Sequence, residues 1–97
     1  MKSLYTLVGN RFRGSAEQNA FKTLKRGDPI VLIREPTNHY DKNAVKAMRG
    51  DQHVAYVRAH EASVLSSIMD SEGKTTITGI AAICGTSTCV EVDHGDA

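Results

Sequence analysis

The sequence predicts a small, mainly β domain, a barrel of about six strands that carries two short helices. Three observations lead there. Short segments rich in β-branched and aromatic residues recur along the 97 residues, punctuated by turn signals at Gly27-Asp28, Gly50-Asp51 and Gly85. Two intervening stretches, after Ser15 and from Ala59, space their apolar residues as a helix does. The length allows one modest core and no second one, so residues 1–97 are read as a single domain, ordered over about 4–93.

The first strand is Leu4 to Phe12, LYTLVGNRF, with Tyr5, Leu7 and Gly9 on one face. A glycine inside a strand predicts a bulge or a close backbone approach. Arg11-Phe12-Arg13 then sets an aromatic ring between two guanidinium groups. Ser15-x-x-Gln18 has the form of a capping box, and Ala20, Phe21 and Leu24 continue a helix to about Lys25. Pro29 to Ile33, PIVLI, is a buried strand. Asn43–Arg49 and Gln52–Arg58 form a hairpin across Gly50-Asp51. In its second arm Val54 and Tyr56 share one side, and Ala55 and Val57 the other. Residues 59–71 place apolar side chains at 62, 65, 68 and 69, and Gly73 ends that helix. Thr75 to Cys84 is apolar on both sides and is expected deep in the core. Thr88–Asp93 is the last strand, and the tail from His94 is expected to fray.

Composition excludes several classes. The apolar share is 40%, with no run near the ~18 residues a membrane span needs. The start, MKSLYTLVGN, lacks a continuous apolar signal region, which points to the cytoplasm. Net charge is +1 but uneven: residues 1–60 hold eleven Lys and Arg against five Asp and Glu, and residues 61–97 hold one against six. The basic part could face a polyanion, while the acidic end would weaken indiscriminate binding. Cys84 and Cys89 are read as reduced thiols, with a strand-end pair or disulfide as the alternative. With His94 they would make three zinc ligands, but no fourth is evident and C-x4-C is not a knuckle spacing. Gly73-Lys74-Thr75 resembles the end of a phosphate loop, yet Ile68 stands where its first glycine belongs. No nucleophile, metal or cofactor constellation emerges, so no catalytic activity is expected.

The most informative stretch is Arg34 to Ala47, REPTNHYDKNAVKA. Pro36 has no amide for a ladder, and Asn38, Asp41 and Asn43 can cap their own turns. A plain connection would not carry Tyr40 at its tip. Taken with Gly9 and Phe12 before it and Val54-Ala55-Tyr56-Val57 after it, this pattern resembles the HIRAN domain over nearly the whole chain, about residues 4 to 93.

That resemblance implies an OB-like or SH3-like small β-barrel. Members occur as the N-terminal module of SNF2-type helicase-like repair proteins and alone in bacteria and phages. They imply a module that captures the 3′ end of single-stranded DNA in repair or replication, with a helicase or nuclease as a conceivable protein partner. With no ATPase in this chain, fork remodelling is not expected of it. By the resemblance, Tyr40 and Phe12 would stack on the last bases, Arg11 would help hold the backbone, and Asp41 would accept a hydrogen bond from the 3′-hydroxyl; Arg13, beside them, is a further candidate for nucleic-acid contact. Stacking of this kind is blind to sequence, and a carboxylate repels a continuing phosphate chain, so the pair would favour a free end. Phe12 stands where the best-understood member has a tyrosine and Tyr56 where that member has a histidine, while Ala55 replaces the usual glycine. Arg58, Lys42 and His39 are candidates to supply the missing phosphate donor.

Alternatives remain at each position. Tyr40 either projects or folds back over Pro36. Asp41 caps its turn through the Asn43 amide, meets a ligand, or does both. Phe12 is either core or contact, and Tyr56 is core or groove wall as readily as contact. At the level of function, the alternatives to a nucleic-acid binder are a protein-interaction or inhibitor module using the same groove or a sheet edge, and a metal- or redox-linked protein centred on Cys84 and Cys89.

Overall fold

The computed structural model describes residues 2–9 and 14–94. Its strands are β1 (Lys2–Gly9), β2 (Pro29–Arg34), β3 (Val45–Arg49), β4 (Gln52–Val57), β5 (Thr76–Cys84) and β6 (Ser87–Asp93), and its helices are α1 (Ser15–Lys22) and α2 (Ala59–Ser71). The strands close into one antiparallel barrel in the order β1-β4-β3-β2-β5-β6. Each strand therefore has a strand neighbour on both sides, which removes the free edge that strand addition would need.

The core is the inside of this barrel, sealed by the helices. Ile30 and Leu32 of β2, Val45 and Ala47 of β3 and Val90 of β6 are fully enclosed, as are Ala62 and Leu65 of α2. Gly9 is where α1 comes closest. A Cβ there would stand 3.0 Å from two ring carbons of Phe21, so the expected close approach is a helix side chain against a strand backbone.

Several elements depart from the sequence reading, each for a local reason. β1 runs from Lys2 to Gly9, two residues earlier than expected; the predicted extension through Phe12 lies outside the described residues. The capping box does not form: Gly14 is the N-cap and Ser15 is already the first helical residue. α1 stops at Lys22: Thr23, its C-cap, leaves helical geometry at φ −95° and ψ 5°, and its hydroxyl donates to the Asn19 and Ala20 carbonyls. Asn43 and Ala44 belong to a loop, not to β3.

Between β3 and β4 the register slips at Ala47 and Met48, with Ala47 opposite Ala55 but Met48 opposite His53. Val54 is the extra residue of this bulge. The two-sided alternation is lost: Val54, Ala55 and Val57 are all buried, and only Tyr56 stays half exposed. On α2 the buried face is Ala62, Leu65, Ser66 and Met69, with Ile68 at its margin. β5 is not deep. Only Ala81 is buried, and Ile80 and Ile83 are 44% and 47% exposed, because the helices pack over β4, β1 and β3 and leave the outer face of β5 bare.

The tail is held at His94, whose Nε2 is hydrogen-bonded to the Tyr5 hydroxyl at 2.8 Å. Cys84 and Cys89 are free thiols, Cys89 buried and Cys84 partly so. Burial, followed by the neighbouring Cys84, pushes the Cys89 thiol up to about 11, so it is no ready thiolate. No helix among the described residues is long and apolar enough to cross a membrane.

Candidate functional site

The loop between β2 and β3, residues 35–44, is built by its own polar side chains. Asn38 Oδ1 accepts the amides of Tyr40 at 2.9 Å and Asp41 at 3.0 Å, and Asp41 Oδ1 accepts the Asn43 amide at 2.8 Å. These are two successive side-chain-closed turns. Backbone bonds from Glu35 to the Ala44 carbonyl and from Ala44 to the Asp41 carbonyl close the loop base.

Two further residues anchor the loop to the barrel. Arg34, whose side chain is only 8% exposed, donates Nη1 to the carbonyls of Lys42 and Ala44 and grips Asp70 of α2 through Nε and Nη2 at 3.0 and 3.1 Å. Glu35 accepts from Asn38 Nδ2 at 2.7 Å and from the Tyr56 hydroxyl at 2.8 Å, with Lys46 Nζ at 3.9 Å. Burial alone would raise the Glu35 carboxyl. The bonds from Asn38 and Tyr56, then the charges of Lys46 and His53, outweigh it and hold the group below its ordinary range.

What this framework presents is Tyr40, 97% exposed at the loop tip. It does not fold back over Pro36. Asp41 is half-buried; its Oδ1 caps the turn, and its Oδ2 has no hydrogen-bond partner among the described residues. The capping role therefore leaves one carboxylate oxygen to act elsewhere.

Below Tyr40 runs an open groove of about 900 Å³ lined by Val8, Asn38, Tyr40, Asp41, Ala44, Tyr56, Val57, Arg58 and Ala59. Its floor is the β1–β4 pair, where Val8 lies opposite Tyr56. The walls are mostly apolar. Asp41 stands at one side and Arg58 at the start of α2, where the guanidinium is 3.9 Å from Glu61 and half exposed. So loose a pair is worth little and does not commit Arg58. Glu61 is engaged elsewhere as well, accepting the Thr6 amide where β1 leaves β6 for β4.

Of the residues singled out from sequence, the structure brings Tyr40, Asp41, Tyr56 and Arg58 together around this groove. His39 and Lys42 are exposed on the same loop but do not line it. Arg11, Phe12 and Arg13 lie outside the described residues. Tyr56 is a groove wall whose hydroxyl is held by Glu35. Val8 was missed, although the inward Tyr5 and Leu7 imply that an apolar residue at 8 faces out. Asn38 caps its turn as its type implies, while Arg34 and Glu35 were motif residues without a role; all three are the loop's fasteners. Among the described residues no group of three or more His, Cys, Asp or Glu side chains comes together to hold a metal.

Comparison with known proteins agrees with the fold. The HIRAN domain family model matches residues 2–91. A crystal structure of a Lactobacillus plantarum protein, structural genomics target LpR91B, superposes with a TM-score of 0.69 at 20% identity, covering 96% of this chain and 100% of that one. That likeness speaks to the fold alone. Among curated proteins, nothing matches the chain.

Proposed function

The chain belongs to the HIRAN domain family, which implies a DNA-binding module, and from that premise we propose that it captures the 3′ ends of single-stranded DNA without catalysing a reaction. The observation that carries this is Tyr40, a fully exposed ring on a loop that the side chains of Glu35, Asn38 and Asp41 hold still. An aromatic left in water on a preorganised loop above an apolar groove suits a base that stacks on the ring and slides under it. Stacking contributes about 1–3 kcal/mol per base whatever the base.

Asp41 supplies the end preference. Its free Oδ2 accepts a hydrogen bond from a terminal hydroxyl and repels a phosphate in the same place. Arg58 at the groove's end, with Lys42 outside it, meets the strand's phosphates. The setting proposed is repair or replication in the cytoplasm.

Fluorescence anisotropy with two labelled strands, identical but for a 3′-hydroxyl or a 3′-phosphate, tests this. Tighter binding of the hydroxyl strand is expected, with Tyr40→Ala weakening it about 5- to 150-fold. Asp41→Asn keeps the cap to the Asn43 amide but removes the charge, so the two strands should then bind alike. Equal binding of both by the unaltered protein would remove the end preference. No binding of either at low salt would sink the DNA reading and favour a protein partner in the groove.

A further inference from the structure

Two thiols meet on the outside of the barrel. In the β5–β6 hairpin Ala81 lies opposite Val90, and both are enclosed in the core. The alternate pairs, Ala82 opposite Cys89 and Cys84 opposite Ser87, therefore turn outward. Cys84 and Cys89 thus share one face of neighbouring strands, a single diagonal step apart. Cys89 is buried, yet it takes no part in the core cluster; the Thr6 hydroxyl and the Cys84 thiol lie beside its sulfur. Cys84 is partly exposed and flanks the turn at Gly85-Thr86, where Gly85 has φ 61°.

Neither thiol is explained by the fold. Packing in the core does not use them, and among the described residues no third ligand joins them to hold a metal. Two thiols side by side with no metal partner retain one shared chemistry, oxidation to a disulfide.

The spacing decides what kind of bridge this is. Diagonal neighbours on paired strands have Cα atoms about 7–8 Å apart, a little beyond the roughly 4.4–6.8 Å of a relaxed disulfide. Closure therefore draws the strand ends together. The hairpin end is where that costs least, because only the Cys84–Ser87 pair lies between Ile83–Thr88 and the turn. A bridge under strain is readily reduced, and the short ring from Cys84 to Cys89 restrains the unfolded chain little. Such a bond is a poor staple and a good reversible mark.

We propose that Cys84 and Cys89 are a reversible thiol–disulfide site, oxidised by small-molecule disulfides of the glutathione class and reopened by the corresponding thiol. The Cys84 thiolate attacks one sulfur of the oxidant, forming a mixed disulfide and expelling one thiolate. The Cys89 thiolate then attacks the Cys84 sulfur, closing the bridge and expelling the second. Two protein thiols are oxidised, one disulfide is reduced to two thiols, and the two protons pass to the released thiolates. Burial, the larger cause of the high Cys89 value, persists through the first step, so the second is the slow one. None of this depends on what the groove binds.

Intact-mass spectrometry of the folded protein in oxidised glutathione tests it. A species carrying one glutathionyl group should appear first, followed by a monomer lacking two hydrogens, and excess reduced glutathione should restore both thiols. Cys89→Ser should stop at the mixed disulfide, and Cys84→Ser should react far more slowly, since its remaining thiol is buried. The closing rate should stay flat in urea below the unfolding transition. A rate that climbs with urea would mean that only the opened chain closes, which overturns the proposal. So would unaltered protein that stops at the mixed disulfide, links into dimers, or keeps its bridge in excess reduced glutathione.

Discussion

The Tyr56 hydroxyl donates to Glu35 Oε1 at 2.8 Å, tying the floor of the groove to the loop that holds Tyr40 above it. Asn38 shares the same carboxylate oxygen at 2.7 Å and passes the constraint on through its own Oδ1 to the amides of Tyr40 and Asp41. Floor, carboxylate, amide side chain and loop tip thus form one continuous chain of bonds.

Removing the first link should loosen the last. Tyr56→Phe keeps the ring as groove wall but deletes the hydroxyl, and a cost of about 1 kcal/mol in stability is expected by urea denaturation. Strand affinity should drop severalfold, because ordering the loop must then come from binding. The preference for a 3′-hydroxyl over a 3′-phosphate should survive, since Asp41 is untouched. Measuring both affinities in the variant separates loop order from end selection.

Arg34 lies outside the groove lining, yet its replacement should be felt there. Arg34→Lys forfeits the planar fork that reaches Asp70 and two carbonyls at once. Asp70 is 61% exposed, so the ion pair itself carries little. The larger loss is the charge-assisted bonding of the Lys42 and Ala44 carbonyls, about 2 kcal/mol. Asp70→Asn should therefore destabilise much less than Arg34→Lys. Comparable losses in the two denaturation curves would shift the weight to the helix contact.

How far the sequence carried the reading follows from which forces are local. Turn glycines, the hairpin and the bounds of α2 were legible because each depends on neighbours in the chain. The Asn43 amide on Asp41 was legible too, since a carboxylate two residues before an amide makes that turn unaided. Three things depend on tertiary partners. The bulge at Val54 breaks an alternation that the sequence shows intact. The exposure of Ile80 and Ile83 comes from where two helices pack, not from β5 itself. Arg34 gripping Asp70 joins residues 36 apart, and no periodicity signals that. Val8 lies between: its outward direction was readable, but a groove over it was not.

Gly79 marks a place where β5 and β6 leave no room for a side chain. A Cβ there would sit 2.6 Å from the Glu91 carbonyl oxygen and 2.8 Å from Val90 Cγ2. Backbone cannot turn aside as a side chain can. Gly79→Ala should cost about 1–3 kcal/mol, lowering the melting temperature by several degrees at least. Gly9→Ala meets only the Phe21 ring at 3.0 Å and should cost less, because the ring can shift. A melt in which Gly9→Ala is the worse of the two would place the tighter packing at α1.

The Glu35 carboxyl is held below its ordinary range, and that fixes a pH dependence. A carboxylate whose folded value is depressed contributes stability that is fully present above its unfolded value and lost as pH falls through the folded one. In Glu35→Gln the acceptor oxygen remains, so only the charge-dependent part of the bonding disappears. At neutral pH the variant should be less stable by about 1 kcal/mol, the difference between charged and neutral acceptors. As pH drops below the ordinary carboxylate range, Glu35 protonates, becomes an acid of nearly the same shape as glutamine, and the two curves should converge. Strand binding should follow the same course, because the loop that positions Tyr40 is fastened through this group. Denaturation of both proteins from neutral pH to about pH 3 gives the comparison. A gap that stays constant across that range would mean Glu35 contributes by packing and not by charge.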